Sequence, residues 1–323
     1  MSHYFDSGVM FGENAWHGLG TVLPADDARR LSVAGTLGAA GIDVEYVKLP
    51  LGVAADPSIP AEIRGAGLAG VYGVFRSSDW AHVGTVKEGY RVMPPRRMLE
   101  WFQPFLDAGV CSFETAGSLK GGKIIWALAR IGGDNLTIGK ETIGKYIQIS
   151  TSYDGSLATQ LGFCGVRTVC WNTLSANLGS KHSKLLSIRH TAQQFKSLEA
   201  VREVMDLATQ SFEASAVQYR RLMATGISPG ELRKYVSLVL QATEEESAVS
   251  ARMSKAIDRI VTLAYSGKGQ DGSLSAWSAY NGVTEYLAHE RQKDTSSRLA
   301  SLWYGDSKRM NDRALALALQ LSA

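Results

Sequence analysis

A chain of 323 residues is long for one domain and comfortable for two, and its 45% hydrophobic content suffices for a sizeable core. A net charge of +3 is too small to speak for nucleic acid by itself, and three cysteines without CxxC spacing argue against a disulfide scaffold. No apolar run reaches membrane-span length and the first residues lack a basic start followed by an apolar stretch, so the expectation is a cytoplasmic protein with no membrane partner.

The pattern predicts an α+β protein. Residues 1–190 form an antiparallel, β-rich body with packed helices, and residues 191–323 form an all-helical C-terminal region. Trp16-His17-Gly18-Leu19-Gly20 reads as a packed N-terminal arm, or one reaching a neighbouring subunit. Leu31 to Gly41 reads as a short helix stopped by glycine, and Val44 to Leu51 alternates like a strand. Val71 to Arg76 and Ala81 to Val86 resemble a hairpin around Ser77-Ser78-Asp79. Arg96 to Ala108 has a helical apolar face, with a kink or early end expected at Pro104.

Four β-rich runs follow: Ser112 to Leu119, Lys123 to Ile131, Lys145 to Ser152 and Leu157 to Phe163. Their Gly-Gly and Asp-Gly punctuation suits antiparallel hairpins. Val169 to Leu178 reads as the start of a short helix and Leu185 to Ile188 as a strand. Beyond Thr191 the period becomes helical over about Ala192 to Ala224. Ser228-Pro229-Gly230-Glu231 then supplies an N-cap, a first-turn proline and a capping glutamate. Further helices fit Glu244 to Tyr265, Ser275 to His289, Ser297 to Trp303 and Lys308 to Leu321, with a loop over Gly267 to Gly272.

Chemistry concentrates in Cys164 to Thr191, just after the Ser152-Tyr153-Asp154-Gly155-Ser156 turn. From Cys111 to Ala200 ten Lys or Arg stand against five Asp or Glu, so the middle of the chain is basic. Gly117 to Lys123 has the GxxxxGK spacing of a phosphate loop, but Ile124 stands where a Ser or Thr hydroxyl is needed and a strand follows. A hairpin turn is the better reading. The six histidines show no metal-ligand spacing, so neither a metal nor a cofactor is expected. A cysteine nucleophile is conceivable at Cys170, with His182 or His190 as base and Asp154 or Asn172 orienting it. Against this stands a cationic and aromatic set. Arg167, Lys181, Lys184, Arg189 and His190 track phosphates, Trp171 and Tyr153 stack on bases or shape a groove, and Asn172 adds neutral contacts.

AWHGLG (Ala15 to Gly20), ETAGSLKGGKIIWALARI (Glu114 to Ile131), STSYDGS (Ser150 to Ser156), VRTVCWNTL (Val166 to Leu174), IRHT (Ile188 to Thr191) and AWSAYNGVTEYLAHER (Ala276 to Arg291) together resemble the uncharacterised phage/plasmid-like protein family. The resemblance spans nearly the whole chain. The family often has His at the position of Tyr153 and Gln at that of Trp171, which lowers an enzymatic reading and keeps an aromatic contact role. The resemblance implies a mobile-element protein acting in the cytoplasm of a bacterial host. Its outline is similar to phage single-strand annealing proteins, an analogy of fold only.

The expected function is therefore non-enzymatic binding of single-stranded DNA, as an annealing or recombination accessory assembled into a ring or filament of identical subunits. Lys120 and Lys123 line the same groove as the segment above. One alternative is a counter-defence protein that binds a host protein or signal molecule. Another is a cysteine-dependent hydrolase or transferase using Cys170, His190 and Asp154.

Overall fold

The structure, a computed structural model, describes residues 5–12, 19–133, 135–138, 141–167, 173–174, 186–191, 213–242, 250–270 and 272–322. The chain opens with β1 (Phe5–Phe11) and β2 (Thr21–Leu23), then α1 (Val33–Ala40), β3 (Tyr46–Gly52), β4 (Gly67–Arg76) and β5 (His82–Lys87). Two short helices, α2 (Pro95–Leu99) and α3 (Gln103–Asp107), flank a 3-10 turn at Glu100–Phe102. Next come β6 (Cys111–Leu119), β7 (Ile124–Ile131), β8 (Leu136–Ile138), β9 (Glu141–Ser152), β10 (Thr159–Arg167), β11 (Thr173–Leu174) and β12 (Leu186–Ile188). Helices α4 (213–224), α5 (Pro229–Leu240), α6 (Ala251–Ser266), α7 (Ala276–Glu285), α8 (Thr295–Tyr304) and α9 (Asp306–Leu321) complete the described chain.

Among the described residues a nine-stranded sheet runs in the order β11-β10-β9-β7-β6-β1-β2, with β12 also on β10 and β8 on β9, and β3-β4-β5 form a smaller antiparallel sheet. Alternation along β7 explains how the large sheet is covered on both faces. Ile124 and Trp126 point to a core shared with the C-terminal helices, while Ile125, Ala127 and Ala129 point to one shared with α1, α2 and the small sheet. At the helical face the Trp126 and Trp303 rings meet edge to face, with centroids 4.6 Å apart.

The α+β class and the antiparallel centre match the sequence reading. Among the described residues no helix is long and apolar enough to cross a membrane. Three elements differ. The N-terminal segment is a strand, β1, paired antiparallel with β6 and parallel with β2. Seven residues with burial confined to one end carry no clean period, so only the pairing makes them a strand. The helix expected over Arg96 to Ala108, with a kink or early end at Pro104, tightens to a 3-10 turn from Glu100, because Pro104 has no N–H for the Glu100 carbonyl, which accepts from Gln103 N instead. Within Val169 to Leu178 the helix is corrected at Thr173–Leu174, which form strand β11 against β10. The rest of that stretch, 192–212 of the long helix, and 243–249 ahead of α6 lie outside the described residues, as does most of the N-terminal arm.

Candidate nucleic-acid interface

Strand register brings part of the polar segment to one end of the large sheet and puts Arg167, with β11, at the other. Ile124 pairs with Ser152 and Thr159 pairs with Ile188, so the β6–β7 turn, the Asp154-Gly155 turn and Arg189 all emerge at that end. From β7 to β12 is three strand steps, about 14 Å at the usual spacing. Lys120 and Lys123 sit on the β6–β7 turn, partly exposed, and Arg189 is exposed.

The β6–β7 turn is built from three successive left-handed residues, Lys120, Gly121 and Gly122, with φ of 57°, 70° and 79°. Its backbone N–H groups converge as in an anion-binding nest, and this chain fills the nest itself. The Asp6 carboxylate accepts from Gly121 N and Gly122 N at 2.9 Å each. The GxxxxGK spacing thus makes a hairpin turn clamped by an internal carboxylate. A side chain at Gly122 would also collide with Arg76, whose Nη1 lies 2.6 Å from the position of a Cβ.

Beneath the turn lies Tyr153. It is fully buried and stacked on Tyr46, with centroids 3.5 Å apart and planes 6° from parallel. Its Oη donates to the Met93 carbonyl at 2.8 Å and its N–H to the Lys123 carbonyl at 2.8 Å, while Tyr46 Oη donates to Gly122 O at 2.8 Å. Stacking of Tyr153 on a base is therefore corrected: both ring faces are in the interior, and the ring supports the lysine-bearing turn. β5 packs against the next turn so closely that a Cβ on Gly84 would stand 2.3 Å from Asp154 Cα.

His190 is corrected in the same sense. It is 7% exposed and stacked on Tyr90, with centroids 4.6 Å apart. Its Nδ1 lies 3.1 Å from Arg91 O and its Nε2 lies 3.2 Å from Thr151 Oγ1, which in turn is 2.9 Å from Thr159 Oγ1. Burial lowers its pKa below the ordinary histidine value, so the ring is neutral at pH 7 and no phosphate-binding cation. Nor does Asp154 orient it, for that carboxylate caps its own turn by accepting from Ser156 N at 2.9 Å. His190 ties the segment after β12 to Arg91 and to the β9–β10 pair.

Sequence reasoning passed over Trp80. At 61% exposed it is the one solvent-facing tryptophan among the described residues. It sits at the β4–β5 tip with φ 55°, a left-handed conformation that costs a bulky residue on the order of 1–3 kcal/mol. Asp79 holds this tip by accepting from Ala81 N at 3.2 Å and pairing with Arg76 through contacts of 2.9 and 2.6 Å. Since Arg76 also abuts Gly122, the indole tip and the lysine turn are neighbours. The signal was legible: a large apolar residue in a Ser-Ser-Asp turn, where polar residues are the rule.

Of the remaining expected residues, Trp171, Asn172, Lys181, Lys184, Cys170 and His182 lie outside the described residues. A groove shared by Arg167 with Lys120, Lys123 and Arg189 is corrected: Arg167 ends β10 opposite Ile143, a full strand length from the Thr159–Ile188 pair that Arg189 follows. Cys111 is buried in apolar surroundings, which push its thiol up to about 12 and leave it unreactive. Among the described residues no three His, Cys, Asp or Glu side chains gather as metal ligands.

A family model, described as a domain of unknown function, DUF932, matches residues 82–303, a span that runs from β5 to the end of α8. No curated protein and no solved structure matches the chain.

Proposed function

The chain belongs to the DUF932 family, and on that premise we propose that it binds single-stranded DNA without catalysing a reaction, as an oligomeric annealing or recombination accessory. The reading rests on one observation. The turn that carries the exposed Trp80 is joined through the Asp79–Arg76 pair to the Lys120–Lys123 turn, at the sheet end that also presents Arg189. Cations follow a phosphate backbone, and an exposed aromatic face accepts a base only when that base is unpaired. The acids nearby are committed: Asp6 to the nest and Asp79 to Arg76, with Asp154 capping its turn. A patch of this size covers a few nucleotides, which is why useful affinity calls for several subunits along a strand. The resemblance of its motifs to the phage/plasmid-like family supports a setting in which DNA strands are exchanged.

Fluorescence anisotropy of a labelled oligothymidylate, titrated over a series of salt concentrations, tests the reading. Contacts from Lys120, Lys123 and Arg189 predict a slope of log K against log salt of about −2. Trp80→Ala is expected to weaken binding on the order of tenfold or more. A salt-independent signal, or no binding at low salt, ends the proposal.

A further inference from the structure

On its other side the β6–β7 turn opens into a second site. A cleft of about 690 Å³ lies between that turn and the helices, lined by Lys120, by Arg252 of α6, by residues 290–294, and by α8 and the start of α9. Its volume falls in the range that holds a nucleotide-sized molecule. Three carboxylates line it, and each is already engaged. Both Glu290 oxygens are held by Arg259 at 2.7 and 2.6 Å, Asp294 caps α8 through Ser297 N at 2.7 Å, and Asp306 pairs with Arg309.

The cations are not so balanced. Among the described residues Lys120, Arg252, Arg291 and Lys293 have no carboxylate within ion-pair distance, although all four border the cleft. Arg291 is fixed in place by donating from Nη1 to Ser307 Oγ at 2.8 Å. Gln292 adds a polar atom: its Oε1 is buried and has no hydrogen-bond partner among the described residues. A ligand that satisfies this wall carries several negative charges close together and at least one hydrogen-bond donor.

We infer that this cleft binds a small polyphosphate of nucleotide size, with the phosphates against Lys120, Arg252, Arg291 and Lys293 and a hydroxyl or amino group donating to Gln292. The site is separate from the strand-binding end of the sheet except for Lys120, which borders both. Isothermal titration calorimetry of the full chain with ATP and with inorganic triphosphate tests it. The expected result is saturable binding of both, tighter for ATP because only ATP offers a donor to Gln292.

Arg252→Glu/Lys293→Glu changes two exposed side chains and is expected to lose affinity on the order of tenfold or more, with an unchanged melting temperature in the absence of ligand. Lys123→Glu, on the strand-binding turn alone, is expected to leave ATP affinity within twofold while weakening oligothymidylate. Absence of saturable binding of ATP and triphosphate overturns the inference, and so does binding indifferent to the Arg252/Lys293 pair. If that pair abolishes oligothymidylate binding while ATP never binds, the cleft belongs to the DNA track and the small-ligand inference fails alone. If ATP binds as expected and oligothymidylate never does, the DNA proposal fails alone.

Discussion

At the scale of single residues, Tyr153 and His190 show how polar side chains in a dense motif serve to hold a site in place. Tyr153 Oη donates to Met93 O, and both residues are fully buried, so Tyr153→Phe removes a hydrogen bond from a buried carbonyl. The expected cost is about 1–3 kcal/mol, read from the midpoint of urea unfolding. Oligothymidylate affinity should stay within twofold, and a large loss of affinity without loss of stability would contradict the interior placement. His190 sets a pH dependence. Its folded pKa lies below the ordinary 6.5 of the unfolded chain, through burial. Between those two values the unfolded chain holds more protons, so stability is complete above about pH 6.5 and falls as pH drops toward the folded pKa. His190→Gln should flatten that part of the stability profile measured by urea titration, whereas an unchanged slope would assign it to other groups.

Elements in this protein begin and end where local chemistry tells them to. Ser228 closes a capping box on α5: its Oγ accepts from Glu231 N at 3.2 Å, and Glu231 Oε2 accepts from Ser228 N at 2.7 Å. Ser228→Ala should cost about 1 kcal/mol, seen as a lower melting temperature with an unchanged helix content by circular dichroism. A capping box at Ser275 works in the same way, which is why the starts of α5 and α7 were readable from short sequence signals, while Ser32 caps α1 by accepting from Gly35 N at 3.1 Å. Strand β1 had no such signal. It exists because β6 offers an edge, and Thr115 Oγ1 donates across to Val9 O at 2.8 Å. The interruption of the helix over Arg96 to Ala108 was legible from Pro104, but its place one turn earlier was not, since the apolar spacing continues through buried Trp101 and Phe102.

Across the whole molecule, the large sheet divides two cores and makes them interdependent. Trp126 and Trp303 join the helical layer to β7. Trp126→Ala removes the larger part of that contact, and the expected loss is about 3–5 kcal/mol, measured by urea unfolding. A loss below about 1 kcal/mol would mean that the helical layer adheres by other contacts. Because β7 carries Trp126 on one face and Ile125 and Ala127 on the other, the lysine turn at its start is anchored by both layers at once. That anchoring lets one short turn border the strand-binding end of the sheet on one side and the polyphosphate cleft on the other.

Periodicity, glycine punctuation and capping residues by themselves determined the α+β class, the antiparallel centre, the hairpin reading of GxxxxGK and the starts of α5 and α7, since each depends on neighbours a few residues apart. They put the start of α6 at Glu244, whereas Ser250 is extended and caps a helix that begins at Ala251. Tertiary structure alone decided that Tyr153 and His190 face inward, that Trp80 faces out, and that Lys120 meets Arg252, Arg291 and Lys293 across a cleft. Burial and juxtaposition arise when strands and helices far apart in sequence pair and pack, and a local window contains no term for that free energy.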